Sequence, residues 1–221
     1  MNFYPKPVKL HDCFNAGVDN AGEAELFLVE GDSASKTVAR ARNSRQQAVL
    51  PMQGKPMNPV KASKNAIAKN DLYQNLIDCC GAQWDERFEL DAMRYQRVIL
   101  LFDPDADGIH CGALMLMFFY RWMRPLLEAD RISVVRPPLY RITSSQYDDT
   151  IYAFSEDHYQ KIKSALHKKE IKYRSQRYRG LASMGDETLV QTCLDPATRH
   201  VYLLGRADAE AAIAAFGGKR K

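Results

Sequence analysis

The segment Arg97-Val98-Ile99-Leu100-Leu101-Phe102-Asp103-Pro104-Asp105-Ala106-Asp107-Gly108 most narrows the folds open to this chain. An apolar, β-branched run of strand length ends in three carboxylates at alternate positions and a glycine, and a long apolar stretch follows. Carboxylates two residues apart at the end of an extended segment repel one another by about a pKa unit or more, so such a cluster calls for a hard divalent cation. Helix capping accounts for one such aspartate and leaves two. The calcium-hand loop Asp-x-Asp-x-Asp-Gly is excluded, because its closing twelfth position, counted from Asp103, is Leu114, and because a strand-like run stands where a helix should precede. What remains is a carboxylate cluster at the carboxyl edge of a sheet, where open α/β folds bind their ligands.

Strand and helix patterns alternate around that segment. Residues 25–30 read as a strand, 34–42 as a helix, 47–52 as a strand and 62–80 as one or two helices before the strand 98–102. Residues 111–129 are apolar nearly all the way round a helix, so neighbours cover it on several sides, and Arg121, Arg124 and Pro125 exclude a membrane span. This βαβ rhythm predicts an α/β fold, a parallel sheet flanked by helices over residues 24–138. After about Arg131 the pattern changes. Strands at 132–136, 139–143, 150–154, 171–177 and 200–204 and helices at 156–167, 186–193 and 207–216 predict a smaller α+β C-terminal region over 139–216, with 1–23 as a lead-in and 217–221 as a flexible tail.

A chain of 221 residues, 46% hydrophobic, buries a sizeable core. A net charge of +4 permits nucleic-acid binding without implying it, so the case rests on where the basic residues lie. The five cysteines, Cys13, Cys79, Cys80, Cys111 and Cys193, form no C-x-x-C pair and are odd in number, which points to a reducing cytoplasm. Residues 1–12 lack the apolar stretch of a signal peptide.

Two further constellations flank the aspartates. Glu30-Gly31-Asp32-Ser33-Ala34 sets a carboxylate at a strand end just before a helix with free backbone N–H groups; read alone it is equally an ordinary capped helix. In a parallel sheet Glu30 shares an edge with Asp103, as a fourth metal ligand or a general base. Lys55, Asn58 and Lys61 follow the second strand on a loop broken by prolines and a glycine, and suit either phosphate contact or plain solvation. The basic run 174–179, with Tyr173 and Tyr178 interleaved, allows the same two readings.

Taken in order, several stretches resemble the TOPRIM half of the B subunit of type IIA topoisomerases, the gyrase and topoisomerase IV B family. They are Lys9-Leu10-His11-Asp12-Cys13, Glu25 through Ala34, Leu50-Pro51-Met52-Gln53-Gly54-Lys55, Asp103 through His110, Phe118-Phe119-Tyr120-Arg121, Pro137-Pro138-Leu139-Tyr140, Arg177-Tyr178-Arg179-Gly180-Leu181 and Leu194-Asp195-Pro196-Ala197-Thr198-Arg199. The resemblance implies a Rossmann-like TOPRIM sheet in which Glu30, Asp103, Asp105 and Asp107 bind Mg2+, with Mn2+ or Ca2+ able to replace it for binding. It implies that Glu30, Asp103 and Asp105 assist DNA cleavage and rejoining, that Lys55 and Arg179 hold the DNA backbone, and that the attacking tyrosine sits on a partner A subunit. Alone, such a chain is not expected to relax DNA.

Departures from the family pattern fall at Ser35 and Lys36 where glycines are usual, Gln53 for a basic residue, Phe102, Pro104, and Ala182-Ser183 for a glycine and an acid. Retention of every carboxylate favours ion binding over intact catalytic geometry. No ATP-binding or transducer segment precedes Lys9. A fragment of a longer protein and a stand-alone relative therefore both stay open, the latter as a TOPRIM nuclease using water or as a non-catalytic DNA- or gyrase-binding protein.

Overall fold

The computed structural model describes residues 9–18 and 23–218. Of the expected lead-in, residues 1–8 and 19–22 lie outside the described residues, as do 219–221 of the expected tail.

Strands β1 (Glu25–Glu30), β2 (Gln47–Met52), β3 (Arg97–Leu100) and β4 (Ile132–Val135) pair in parallel in the order β2-β1-β3-β4. Connecting them are helices α1 (Gly31–Ala41), α2 (Lys64–Ala68), α3 (Asp71–Cys80), α4 (Ala106–Trp122) and α5 (Pro125–Glu128). The strands read as near-continuous apolar runs because both faces of the sheet are covered. Leu26, Leu28, Leu50, Val98 and Leu100 face one core with α3 and α4, while Phe27, Val29, Val49 and Ile99 face the other with Ala34 and Val38 of α1. Truncating Leu26 or Leu28, both fully buried, to alanine would remove about 2–5 kcal/mol.

The expected helix over 111–129 is two. Helix α4 starts at Ala106, because Asp105 caps it by accepting a hydrogen bond from the Gly108 N–H at 2.8 Å, and it stops at Trp122, after which Pro125 opens α5 at a position where a proline costs no hydrogen bond. The strand expected over 98–102 ends at Leu100.

Past residue 138 the chain divides. Strands β5 (Tyr140–Ser144), β6 (Tyr147–Ala153) and β7 (Arg174–Arg177) form a separate antiparallel sheet, ordered β6-β5-β7, on which α6 (Glu156–Lys168) packs through Ile142, Ala153 and Leu166. The strand expected over 171–177 pairs only from Arg174, and all four of its residues are exposed. Next, α7 (Asp186–Leu189) widens into a π turn over Val190–Leu194, where a regular helix is expected to 193. Its residues return to the main core, since Tyr178, Leu181, Leu189, Cys193 and Leu194 pack with Phe27 and Val29. Strand β8 (Val201–Leu203) then pairs antiparallel with β4 as the fifth strand of the main sheet, and Ala209 and Ala212 of α8 (Arg206–Phe216) join the core around α4.

On the opposite edge, His11 and Val49 exchange backbone hydrogen bonds of 2.9 Å, so the lead-in segment lies along β2. At the amino end of β1, Glu25 forms a buried ion pair with Arg199, and Gln47 donates to Glu25 and to the Leu194 carbonyl. Cys13, Cys79, Cys80, Cys111 and Cys193 are all free and buried. No helix among the described residues is long and apolar enough to cross a membrane.

Candidate metal centre

Strands β1 and β3 are parallel neighbours with Leu28 opposite Leu100, so Glu30, the last residue of β1, and Asp103, three residues past β3, emerge at one edge of the sheet. The three aspartates do not share the extended segment that their spacing suggests. Asp103 lies on the loop, Asp105 is the cap of α4, and Asp107 is in the first turn of α4, where its side chain is 80% exposed and 3.4 Å from the Lys55 ammonium.

The carboxylates feel one another. Burial, then the charges of Asp103, Asp105 and Asp107, push the Glu30 carboxyl above its ordinary range, with Lys55 opposing. Burial likewise raises Asp103, with Asp105 adding to the rise and a hydrogen bond from the Leu181 N–H, 2.8 Å from Asp103 Oδ1, opposing it. Close by, burial and the Glu30 charge push the Cys111 thiol up to about 11.

Among the described residues no group of three or more His, Cys, Asp or Glu side chains is close enough to enclose a metal ion. Glu30 and Asp103, whose ionised forms burial and neighbouring carboxylates disfavour, stand at one edge with Asp105 and Asp107, and that oxygen-donor set fits a hard divalent cation. Glu30 and Asp103 are the pair most affected, and Asp105 keeps one oxygen beyond its cap bond.

Asp103 is held from far along the chain. A β-carbon built on Gly180 would stand 2.3 Å from Asp103 Oδ2, so only a residue without a side chain lets that backbone approach the carboxylate and deliver the Leu181 N–H. Ser183 braces the turn, its hydroxyl donating to the Gly180 carbonyl at 2.7 Å and accepting from the Arg179 N–H at 3.1 Å. A cleft of about 590 Å³ opens beside this turn, lined by Pro104, Asp105, Leu139, Arg177, Tyr178 and Arg179. Carboxylate and guanidinium groups thus line one concave surface.

A family profile described as a Toprim domain matches residues 25–137, from the start of β1 to just past β4. The chain belongs to the Toprim domain family. The B subunit of DNA gyrase from Thermotoga maritima is 38% identical over 210 residues, 95% of this chain and 32% of that protein. The gyrase B subunits of Spiroplasma citri, 38% identical over 90% of this chain and 30% of theirs, and of Archaeoglobus fulgidus, 37% identical over 95% and 32%, are similar to it in the same way. The chain spans about a third of the length of the curated relatives it matches.

Within the Toprim fold the other expected contacts divide. Lys55 reaches the acidic edge and Arg179 the cleft. Asn58 turns elsewhere, donating to the carbonyls of Phe216 and Gly217 at the end of α8, and the Lys61 ammonium lies against Gly218. Three departures from the family pattern have local partners or surroundings: Gln53 donates to Asp32 at 2.8 Å, Ser183 holds the Arg179 turn, and Pro104 lines the cleft. Sequence reasoning missed the Leu181 N–H and the Ser183 brace, and left Arg177, within the basic run 174–179, open between phosphate contact and solvation. The one signal for the first was the glycine at 180, a residue that often marks close backbone approach.

Proposed function

We propose that this chain is the magnesium-dependent DNA cleavage and rejoining part of a type IIA topoisomerase B subunit, acting in the cytoplasm with an A subunit that carries the attacking tyrosine. Residues 24–138 serve as its TOPRIM unit and 139–216 as the α+β region that completes it. The observation that carries the reading is the arrival of Glu30, Asp103 and Asp105 at one sheet edge, beside a cleft whose other wall bears Arg177 and Arg179. The names of the gyrase B relatives support the substrate and the partner.

In this reading Asp103 and Asp105 would be the principal holders of a magnesium ion, with Glu30 and Asp107 beside them, and the ion when bound would neutralise charge on the scissile phosphate and its leaving oxygen. Leu181 fixes the rotamer of Asp103 through its N–H. Glu30, at the same edge, either completes the ligand set or serves as the acid that gives a proton to the departing 3′ oxygen and as the base that takes it back on rejoining. Arg179 and Lys55 hold the backbone on either side, while Asn58 and Lys61 stay engaged at the end of α8. The nucleophile is supplied in trans.

Plasmid cleavage by this chain with magnesium or manganese, with and without a type IIA A subunit, tests the proposal against an Asp103→Ala/Asp105→Ala control. Protein-linked breaks only with the partner, lost in the control, are expected. Free-ended nicks without a partner would replace the proposal with a stand-alone nuclease, and no breaks in any lane with a competent A subunit would leave a non-catalytic binding relative.

A further inference from the structure

A second pocket, of about 480 Å³, lies against the first two turns of α1 and is lined by Lys9, His11, Asp32, Ser35, Lys36 and Pro51 among others. Its origin is in the backbone. His11 pairs antiparallel with Val49, so the next pair along this edge would set Lys9 opposite Pro51. Proline has no N–H to give, the ladder stops there, and the lead-in segment leaves the sheet with a gap behind it.

Ser35 lies in the wall of that gap. It is 1% exposed, and its hydroxyl has no hydrogen-bond partner. Two residues on, Thr37 satisfies its own hydroxyl on the Ser33 carbonyl at 3.0 Å, the usual recourse for such a side chain inside a helix. Ser35 does not do the same with Gly31. A buried hydroxyl left without a protein partner is costly, and a water or a ligand oxygen in the pocket would satisfy it.

The charges around it are mostly positive. Lys9 and Lys36 face the pocket with His11, against the single carboxylate of Asp32, which already accepts from Lys9 and from Gln53, each at 2.8 Å. The amino end of α1, which has no side-chain cap among the described residues, adds its partial positive charge. Two ammonium groups, a helix amino end and an unpartnered hydroxyl form a donor set for a tetrahedral oxyanion.

We propose that this pocket binds a phosphate group, with Ser35 Oγ donating from the wall and Lys9 and Lys36 supplying charge, Lys9 turning from Asp32 to the incoming oxygen. In the working complex that group is a backbone phosphate of DNA held apart from the one at the carboxylates, an assignment that rests on the function proposed above. The phosphate site itself stands on its own geometry.

The test titrates the full chain with inorganic phosphate against chloride of matched ionic strength and follows the melting temperature. Phosphate should raise the wild-type Tm, and both Ser35→Ala and Lys36→Gln should lose at least half of that increment. Ser35→Ala should also melt higher than wild type without phosphate, because it removes an unsatisfied hydroxyl. A second arm measures binding of a short duplex in EDTA, where Lys36→Gln should lower the salt slope by about one, since one phosphate is no longer neutralised. An equal phosphate increment in wild type and both variants overturns the site. A lost increment with an unchanged duplex slope overturns the DNA assignment and leaves a pocket for free phosphate. Failure of the cleavage proposal would show separately, as absence of partner-dependent breaks while the phosphate increment persists.

Discussion

Replacing Gly180 with alanine would set a methyl carbon 2.3 Å from Asp103 Oδ2 and 2.9 Å from Oδ1, where ordinary contact begins near 3.4 Å. The backbone at 180 is extended, with φ 161°, so alanine adds no backbone strain and the conflict falls on the carboxylate alone. Asp103 must retreat by about 1 Å and give up the Leu181 N–H, and a displacement of that size costs on the order of a hundredfold where positioning matters. A hundredfold corresponds to about 2.7 kcal/mol of transition-state stabilisation. Stability should change little, because the conflict falls on the end of a side chain and not on backbone. Gly108 provides the contrast. A β-carbon there would meet the Asp103 backbone oxygen at 2.1 Å, so the loop itself must deform, at about 1–3 kcal/mol. The assay pairs magnesium-dependent cleavage in the presence of the A subunit with thermal melting and with the Tm increment given by manganese. Gly180→Ala should melt within about 2 °C of wild type while losing most cleavage and most of the manganese increment; Gly108→Ala should lose several degrees outright. Full cleavage by Gly180→Ala would refute the claim that this turn positions Asp103.

Glu30→Gln should stabilise the metal-free protein at neutral pH. The wild-type carboxyl is raised by burial and by its acidic neighbours, so its favourable contribution is complete below the ordinary value of 4.5 and is lost as pH rises through the raised one; the two melting curves should converge below about pH 4 and part above it. Asp12 carries the opposite sign. Burial raises it, but hydrogen bonds from Arg94 at 2.5 Å and Tyr95 at 2.7 Å outweigh that and hold it below 3.8. Its stabilisation is therefore present above pH 3.8 and lost as pH falls through the depressed value. The stability difference between wild type and Asp12→Asn in urea should hold steady above about pH 5 and shrink in acid, and a gap that grows in acid would contradict it. Glu25→Gln leaves the buried Arg199 guanidinium without its counter-charge and should cost about 3–5 kcal/mol in urea denaturation; a loss under about 1 kcal/mol would mean that the pair is solvated.

What was legible in the sequence was local. The strands at 25–30 and 47–52 read correctly because continuous apolar runs bounded by turn and charged residues leave little else for the chain to do, and the parallel pairing, though not the strand order, followed from the βαβ rhythm. That Glu30 and Asp103 would meet at one edge followed from the same rhythm. The start of α4 did not, because Asp107-Gly108 looks like a turn, whereas Asp105 supplies a cap strong enough to carry a glycine inside the first helical turn. The support of Asp103 by Leu181 spans 78 residues and uses a backbone N–H, which no side-chain pattern encodes. Ser183 reads in the sequence only as the loss of an acid, and Asn58 as open to phosphate contact or plain solvation; the hydrogen bonds of the one to its turn and of the other to the end of α8, which packs beside α4, come only with the folded chain.

The four parallel strands that fall within the matched residues 25–137 are bordered on both sides by chain from outside that span, His11 along β2 on one flank and β8 along β4 on the other. A piece trimmed to the matched span would therefore present two bare rows of N–H and C=O groups, each a template for pairing with another copy. Family boundaries drawn from sequence likeness mark what has been inherited together, and here the unit that borders its main sheet on both flanks is the larger one.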